Sequence, residues 1–155
     1  MDGCYHALAS LREQGVLKVI GVGVNEWQVC LKALKQRDFD AFLPAGRYTL
    51  LEQEALNDFL PPCEARGVAV LVGGGFNSGI LATGTKPGAK YNCAPAPGRR
   101  DGKGCPERSR LRRAQPRNVE QLQQNFAWLS HPISTEFWPD LKSKGLLRDD
   151  APVPA

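Results

Sequence analysis

The chain has 155 residues, and its 20 Lys and Arg against 16 Asp and Glu give a formal net charge of +4. Hydrophobic residues make up 42% and charged residues 23%, which is typical of a globular domain and argues against wholesale disorder. No apolar run reaches about 18 residues, which argues against a membrane-spanning helix. The first residues lack the basic and apolar regions of a secretory signal, so we expect a cytoplasmic protein.

The cysteine and histidine content argues against disulfide and metal chemistry. Five cysteines are an odd number and none forms a C-x-x-C pair, unlike a disulfide framework or a zinc ribbon. With only two histidines in the chain, we predict no metal site. Cys30 and Cys63 lie within apolar helical patterns, so we expect them to be small buried hydrophobic residues.

Three short apolar runs alternate with helical patterns along the first half of the chain. The runs are predicted to be buried strands, at residues 17–24, 40–45 and 68–72. Strands that alternate with helices indicate βαβ units and a parallel sheet. The sequence therefore predicts an α/β fold, and ligands of such folds bind at the carboxyl ends of the strands.

Helix boundaries are marked by capping and stop signals. The first helix is predicted over Tyr5–Gln14 and the second from Asn25. Thr49 and Glu52 have the spacing of a capping box, which predicts a third helix that Pro61 and Pro62 interrupt or follow with a new turn. Further helices are predicted from Asn118, which has Gln121 at capping distance, and from Ser134 to Gly145.

Two glycine-rich segments follow or form predicted strands. Gly73–Gly75 ends the third strand and is followed by Asn77 and Ser78, so backbone and polar side chains could approach a ligand closely. We favour a ligand-binding loop here over a flexible turn. Gly21 and Gly23 lack the third glycine of a dinucleotide-binding fingerprint, and close strand packing explains them equally well.

The basic residues are concentrated in one segment. Residues 99–117 carry eight basic and two acidic side chains, a net charge of +6, with Leu111 as the one large apolar residue. Such a segment cannot bury a core, so we predict a disordered linker. It lacks interleaved aromatic residues and any nucleic acid-binding motif, which favours a solvated loop over nucleic acid binding. A frameshifted stretch or an internal deletion would also explain it.

Four segments, in order along the chain, resemble the aldo/keto reductase family. They are similar to the bacterial branch that holds L-fucose and D-threo-aldose 1-dehydrogenases and pyridoxal 4-dehydrogenases. The segments are Leu11–Trp27, Leu43–Gln53, Asn77–Gly84 and Arg117–Asn125. The resemblance implies part of a (β/α)8 TIM barrel, about strands five to seven with their helices plus the C-terminal helices. Residues 1–98 would form the half-barrel units and residues 118–155 the last helices, with the basic linker between them.

The resemblance also implies a function in NAD or NADP-dependent oxidoreduction of a small aldehyde, an aldose or pyridoxal. The family's catalytic Asp, Tyr, Lys and His lie on its first four strands, which no part of this chain matches. We therefore predict no catalytic residue, and a truncated reductase that is inactive alone. The alternative is a non-catalytic half-barrel module that binds a partner or dimerises through its open sheet edges.

Cofactor contacts can be carried over from the family to matching positions. Asn25 matches the family residue that binds the nicotinamide carboxamide of the cofactor. The loop after the third predicted strand corresponds to the family's seventh-strand loop and matches the region that binds the pyrophosphate. Arg117 matches a family position that pairs with the adenosine phosphate or ribose, and the predicted helix that follows it matches the family helix on the adenine side. The family's sixth-strand Gln falls at Ala45, and its stacking aromatic falls near Gly73. The loop and helix residues are Gly74, Gly75, Phe76, Asn77, Ser78, Gln121 and Asn125.

Overall fold

The chain divides into two compact units. The computed structural model describes residues 2–84, 90–91, 94–95 and 118–154. The first unit contains residues 1–48 and 54–73, and the second contains residues 49–53 and 74–155. The predicted basic linker, residues 99–117, lies outside the described residues.

The first unit is built from alternating helices and parallel strands, which confirms the predicted α/β class. Its strands form one sheet in the order β1-β2-β3, and both neighbouring pairs are parallel. The elements are α1 (Asp2–Glu13), β1 (Gly21–Val24), α2 (Trp27–Gln36), β2 (Ala41–Pro44), α3 (Ala55–Asp58), α4 (Leu60–Ala65) and β3 (Ala69–Val70). The three predicted strands are therefore present in the predicted order, although each is shorter than its apolar run.

The core of the first unit lies between one face of the sheet and the helices. Phe42 of β2 is almost fully buried, and its ring contacts those of Phe39 and Phe59 at centroid distances of 5.6 and 5.7 Å. Cys30 of α2 and Cys63 of α4 are buried in the same cluster, which confirms their predicted role as small hydrophobic residues. Apolar burial on this scale is the main stabilising contribution in a small domain.

The opposite face of the sheet is exposed. Side chains alternate between the faces of a strand, so the neighbours of buried Ile20 and Phe42 point away from the helices. Val19, Leu43 and Leu71 on this face are 60%, 37% and 53% exposed. Parallel sheets in proteins are normally covered on both faces, so this one-sided burial is unusual.

The third predicted helix begins later than expected. Thr49 does not cap it, because the helix starts at Ala55. The Thr49 hydroxyl instead accepts hydrogen bonds from the N–H groups of Leu51 and Glu52, each at 3.2 Å, and closes a turn. A separate helix, α4, carries Pro61 and Pro62 in its first turn. The N–H groups of a first turn have no hydrogen-bond partner within the helix, so the N–H group that proline lacks removes no helical hydrogen bond.

The second unit contains short helices and a two-stranded ribbon. The side chain of Asn118 accepts a 2.9 Å hydrogen bond from the Gln121 N–H group, which confirms the predicted helix start. The final helix begins at Phe137, three residues after the predicted start at Ser134. The elements are a 3-10 turn (Asn77–Gly79), α5 (Ile80–Thr83), antiparallel β4 (Lys90–Tyr91) and β5 (Ala94–Pro95), α6 (Val119–Leu129) and α7 (Phe137–Ser143).

Across the described ranges, every helix is too short or too polar to cross a membrane.

Candidate functional site

The carboxyl ends of the three parallel strands meet at one edge of the sheet. Asn25 follows β1 directly, and Ala45 follows β2. A parallel bridge joins Ala45 to Gly73, and the N–H group of Gly46 donates a 2.6 Å hydrogen bond to the Gly73 carbonyl. This edge is where open parallel sheets bind ligands, so its side chains are the first candidates for a site.

Asn25 is fixed at this edge through its own backbone. Its carbonyl oxygen accepts a 3.2 Å hydrogen bond from Nε of Arg47, and both side chains are half-buried. A guanidinium group at the ligand-binding edge favours an anionic or strongly polar ligand atom nearby. Arg47 was not among the predicted site residues. The signal that could have identified it is its position three residues after the end of β2, where loop residues meet ligands.

Tyr48 follows Arg47 in the same strand-end segment. Burial raises the pKa of its phenol above the ordinary value, so the group stays a neutral hydrogen-bonding group at physiological pH. The segment therefore offers one permanent positive charge and one neutral hydroxyl.

Gly73 and Ala45 leave the edge without large side chains. An added Cβ at Gly73 would lie 2.8 Å from Cδ2 of Leu43 and 3.5 Å from Cα of Ala45. The glycine therefore allows the third strand to approach the second closely. Neither position offers the amide or the aromatic ring that the resemblance places there.

The Gly74–Ser78 loop of the second unit is a tight, left-handed turn. Gly74, Asn77 and Ser78 have φ angles of +65°, +45° and +63°, and the N–H group of Asn77 donates to the carbonyl of Gly74 at 3.0 Å. The Asn77 side chain is only 1% exposed. Its amide oxygen accepts a 2.5 Å hydrogen bond from the Thr49 hydroxyl, so Asn77 shapes the loop from inside.

Gly75 presents open space in front of the same loop. An ideal Cβ at this position meets no atom within 4 Å, and the residue is exposed. Packing therefore does not require glycine here. A bare backbone at this point allows a ligand to approach the main chain closely.

Phe76 joins this loop to helix α6. Its ring lies edge-on to that of Trp128, with 5.6 Å between the ring centroids. Gln121 and Asn125 precede Trp128 by seven and three residues, a spacing that places all three on one helix face. The second unit thus brings the predicted loop to the helix face that carries the two predicted adenine-side residues.

Arg117 lies outside the described residues, so its predicted phosphate contact stays a prediction. Within the described part of the chain, no three His, Cys, Asp or Glu side chains are grouped so that they could hold a metal ion. The remaining predicted residues form two sets, with Asn25 in the first unit and the loop and helix residues in the second.

Comparison with known proteins shows that the chain is similar to two dehydrogenases. The chain is 37% identical to pyridoxal 4-dehydrogenase of Microbacterium luteolum over 168 residues, which cover 94% of this chain and 49% of that protein. It is 40% identical to D-threo-aldose 1-dehydrogenase of a Pseudomonas species over 82 residues, which cover 53% of this chain and 25% of that protein. The chain thus spans half or less of the length of these relatives. No family model and no solved structure matches it.

Proposed function

We propose that this chain forms the cofactor-binding part of an NAD(P)-dependent oxidoreductase of the aldo/keto reductase type. The observation that carries the proposal is the 37% identity to pyridoxal 4-dehydrogenase across 94% of the chain. The parallel strands with polar and glycine-rich carboxyl ends support it. In this proposal the first unit corresponds to three βα units of a (β/α)8 barrel, and residues 118–155 supply its last helices. The substrate would be an aldehyde, an aldose or pyridoxal.

The residues present fit the phosphate and adenosine portions of a nicotinamide cofactor. The open backbone at Gly75 suits a pyrophosphate, and Gln121 and Asn125 share the helix face behind the same loop. In our proposal Asn25 binds the carboxamide, Arg47 holds the Asn25 backbone in position, and Arg117 pairs with the adenosine phosphate or ribose. When bound, the nicotinamide ring supplies the hydride that is exchanged with the substrate.

The proposal includes no hydride transfer by these 155 residues on their own. The general acid of the resembled family has no matching position here, and proton transfer is essential to reduction of a carbonyl. Tyr5 and His6 do not replace it. They lie on α1, and the Tyr5 hydroxyl donates a 3.2 Å hydrogen bond to the Asp38 carbonyl, which is a structural contact.

Titration of purified chain with NADH and NADPH, followed by nucleotide fluorescence, tests the binding part of the proposal. We expect saturable binding that Asn25→Ala weakens about tenfold, the effect of losing one or two hydrogen bonds to a neutral amide. Asn57→Ala, an exposed asparagine on α3, is the matched control and should leave binding unchanged. Absence of saturable binding, or equal effects of the two substitutions, would contradict the proposed cofactor site.

Turnover is measured separately with NAD or NADP and either pyridoxal or an aldose. We expect no NADH or NADPH formation by the chain alone. Formation of reduced cofactor by the purified chain would show that the acid–base residues lie within these 155 residues.

The second candidate is a non-catalytic half-barrel module, and the exposed apolar sheet face favours it. Light scattering distinguishes the two candidates, when it is read together with the nucleotide titration. A self-associating chain without nucleotide binding supports the module, and a nucleotide-binding chain supports the oxidoreductase.

A further inference from the structure

Arg47 lies at the carboxyl end of the parallel sheet in the first unit, three residues after the end of β2. Its Nε atom donates a 3.2 Å hydrogen bond to the carbonyl of Asn25, the residue that follows β1. The arginine side chain therefore reaches across the ends of two neighbouring strands. Because parallel sheets bind ligands at the carboxyl ends of their strands, the guanidinium group is placed to contact a ligand there.

We propose that Arg47 binds the ionised ring oxygen of an aromatic aldehyde, on the ring carbon adjacent to the one that bears the aldehyde. Pyridoxal has this arrangement, whereas the hydroxyl groups of an aldose are neutral. The proposal rests on the proposed function as an oxidoreductase. It names one substrate class among the aldehydes, aldoses and pyridoxal given above.

The charge of the Arg47 guanidinium favours an anionic oxygen. Arginine stays protonated at physiological pH, and its planar fork of N–H donors matches an oxyanion. Charge-assisted hydrogen bonds are about twice as strong as those between neutral groups. In neutral water the hydroxyl of a 3-hydroxypyridine such as pyridoxal is ionised, because its proton moves to the ring nitrogen. A bond from Arg47 to this oxygen therefore joins two charged groups, whereas a sugar hydroxyl contributes a neutral one.

The residues adjacent to Arg47 at this edge are neutral or solvated. Asn25 and Ala45 carry no charge, and burial raises the pKa of the Tyr48 phenol, which keeps it neutral. Glu26, the N-cap residue of α2, is exposed, so water and salt screen its carboxylate. These four residues therefore add little charge of their own beside the guanidinium group.

Small residues at the neighbouring strand ends suit a flat ring. Ala45 precedes Arg47 by two residues, and a parallel bridge joins it to Gly73. Neither residue has a side chain beyond Cβ, so an aromatic ring is able to approach the backbone closely. The hydrogen bond between Arg47 and Asn25 also keeps an oxygen bound to Arg47 close to the residue proposed to bind the carboxamide. The aldehyde of such a substrate is adjacent to that oxygen, which suits the proposed exchange of hydride.

Isothermal titration calorimetry of the purified chain with pyridoxine tests this proposal. Pyridoxine carries the same ionised ring oxygen but no aldehyde, so it forms no imine with lysine side chains. Its 3-O-methyl ether has no ionisable oxygen at this position and is the matched probe. We expect the wild-type chain to bind pyridoxine roughly tenfold more tightly than the ether, the effect of one hydrogen bond between charged groups.

Variants of Arg47 identify the group that causes this preference. Arg47→Gln should bind both probes equally, because it removes the charge. Arg47→Lys should keep part of the preference, because an ammonium group keeps the charge but not the planar fork. Arg37→Gln is the matched control and should leave the preference unchanged, since Arg37 is a half-buried arginine that precedes the amino end of β2. Circular dichroism of each variant verifies that it is folded.

Three results with the two probes would overturn the role of Arg47. They are a wild-type chain that binds no pyridoxine, equal binding of both probes by the wild type, and a preference that Arg37→Gln removes. A preference that is unchanged in folded Arg47→Gln would also overturn it, as would one unchanged in Arg47→Lys where the glutamine variant does not fold.

The NADH titration of the wild-type chain separates this proposal from the proposed function. A chain that binds NADH but shows no preference for pyridoxine would contradict the role of Arg47 and leave the cofactor site in place. A preference that depends on Arg47 without any binding of NADH would leave the Arg47 site in place. It would instead contradict the proposed oxidoreductase function.

Discussion

The Thr49 hydroxyl donates a hydrogen bond of 2.5 Å to the side-chain oxygen of Asn77, 28 residues further along the chain. The same hydroxyl accepts hydrogen bonds from the N–H groups of Leu51 and Glu52. One side chain therefore closes the turn at residues 49–52 and fixes the glycine-rich loop through its buried asparagine. Thr49 and Asn77 both belong to the second unit. The geometry of the glycine-rich loop depends on their hydrogen bond.

Replacement of Asn77 by alanine should destabilise the second unit. The variant loses the hydrogen bond from Thr49 and places an ordinary side chain at a φ of +45°, which together cost about 2 kcal/mol. Hydrogen exchange of the Asn77 and Gly79 amides should accelerate, and urea unfolding should report the loss. Thr49→Val should show part of this loss of stability. Thr135→Val, at an exposed threonine, is the control and should show no loss. Equal behaviour of the two threonine variants would argue against this role.

The two capping signals show what a sequence pattern can predict. Asn118 and Gln121 have the spacing of a helix start and form it, because both partners lie within one turn of the same helix. Thr49 and Glu52 have the same spacing, but the Thr49 hydroxyl also donates a hydrogen bond to Asn77. The helix begins at Ala55, six residues after Thr49. A local pattern carries no information about a partner 28 residues away.

The positions of the strands could be predicted from the sequence, whereas the pairing of residues at the candidate site could not. Apolar runs predicted the positions of all three strands, because burial against the helices depends on local hydrophobicity. Arg47 was not predicted as the partner of Asn25, since their contact spans 22 residues and two strand ends. Side-chain pairing across strand ends follows from sheet register, which a single sequence does not specify.

Gly21 and Gly23 should respond differently to alanine, although both lie in β1. A Cβ at Gly21 would clash with the Ala41 carbonyl oxygen, whereas at Gly23 the atom nearest to an added Cβ is 3.8 Å away. We expect Gly21→Ala to push the strands apart and cost about 2 kcal/mol, as overpacking does. Gly23→Ala should change stability by less than about 0.5 kcal/mol, as most tolerated substitutions do. Equilibrium urea unfolding of the two variants measures this difference, and equal losses would contradict the close packing at Gly21.

Asp40 should stabilise the first unit in its ionised form. Its carboxylate accepts hydrogen bonds from the N–H group of Ile20 and from Arg12, both at 2.8 Å, and these contacts lower the pKa of Asp40. A depressed pKa means that the contribution is complete above the unfolded value near 4 and is lost as the pH falls through the lower folded value. Because 37% of the Asp40 side chain is exposed, solvent screening limits its contribution to the free energy of unfolding to about 1 kcal/mol.

Urea unfolding of Asp40→Asn at several pH values tests this contribution. At pH 7 the variant should be less stable than the wild type, and the two curves should converge below pH 4. Asp38→Asn is the control, because Asp38 is 90% exposed and lies 3.6 Å from the same arginine. A difference between Asp40→Asn and the wild type that stays constant down to pH 3 would show that charge is not the cause.

The buried thiol of Cys30 should make the first unit sensitive to alkali. Burial, with a smaller effect of the neighbouring Cys63, raises the pKa of Cys30 to about 11. The unfolded chain ionises this thiol near its ordinary pKa of 9, while the folded chain keeps it neutral. The free energy of unfolding should therefore fall as the pH rises from about 9 to 11, and Cys30→Ala should flatten this slope relative to Cys4→Ala.

Alkylation provides an independent measurement on the same thiols. Iodoacetamide at pH 8 should label exposed Cys4 quickly and leave Cys30 and Cys63 unmodified until urea unfolds the chain, because the reaction requires an accessible thiolate. Peptide mass spectrometry resolves each cysteine separately. Labelling of Cys30 in the native chain at the rate of Cys4 would mean that α2 opens readily in solution, and the steep alkaline slope should then disappear with it.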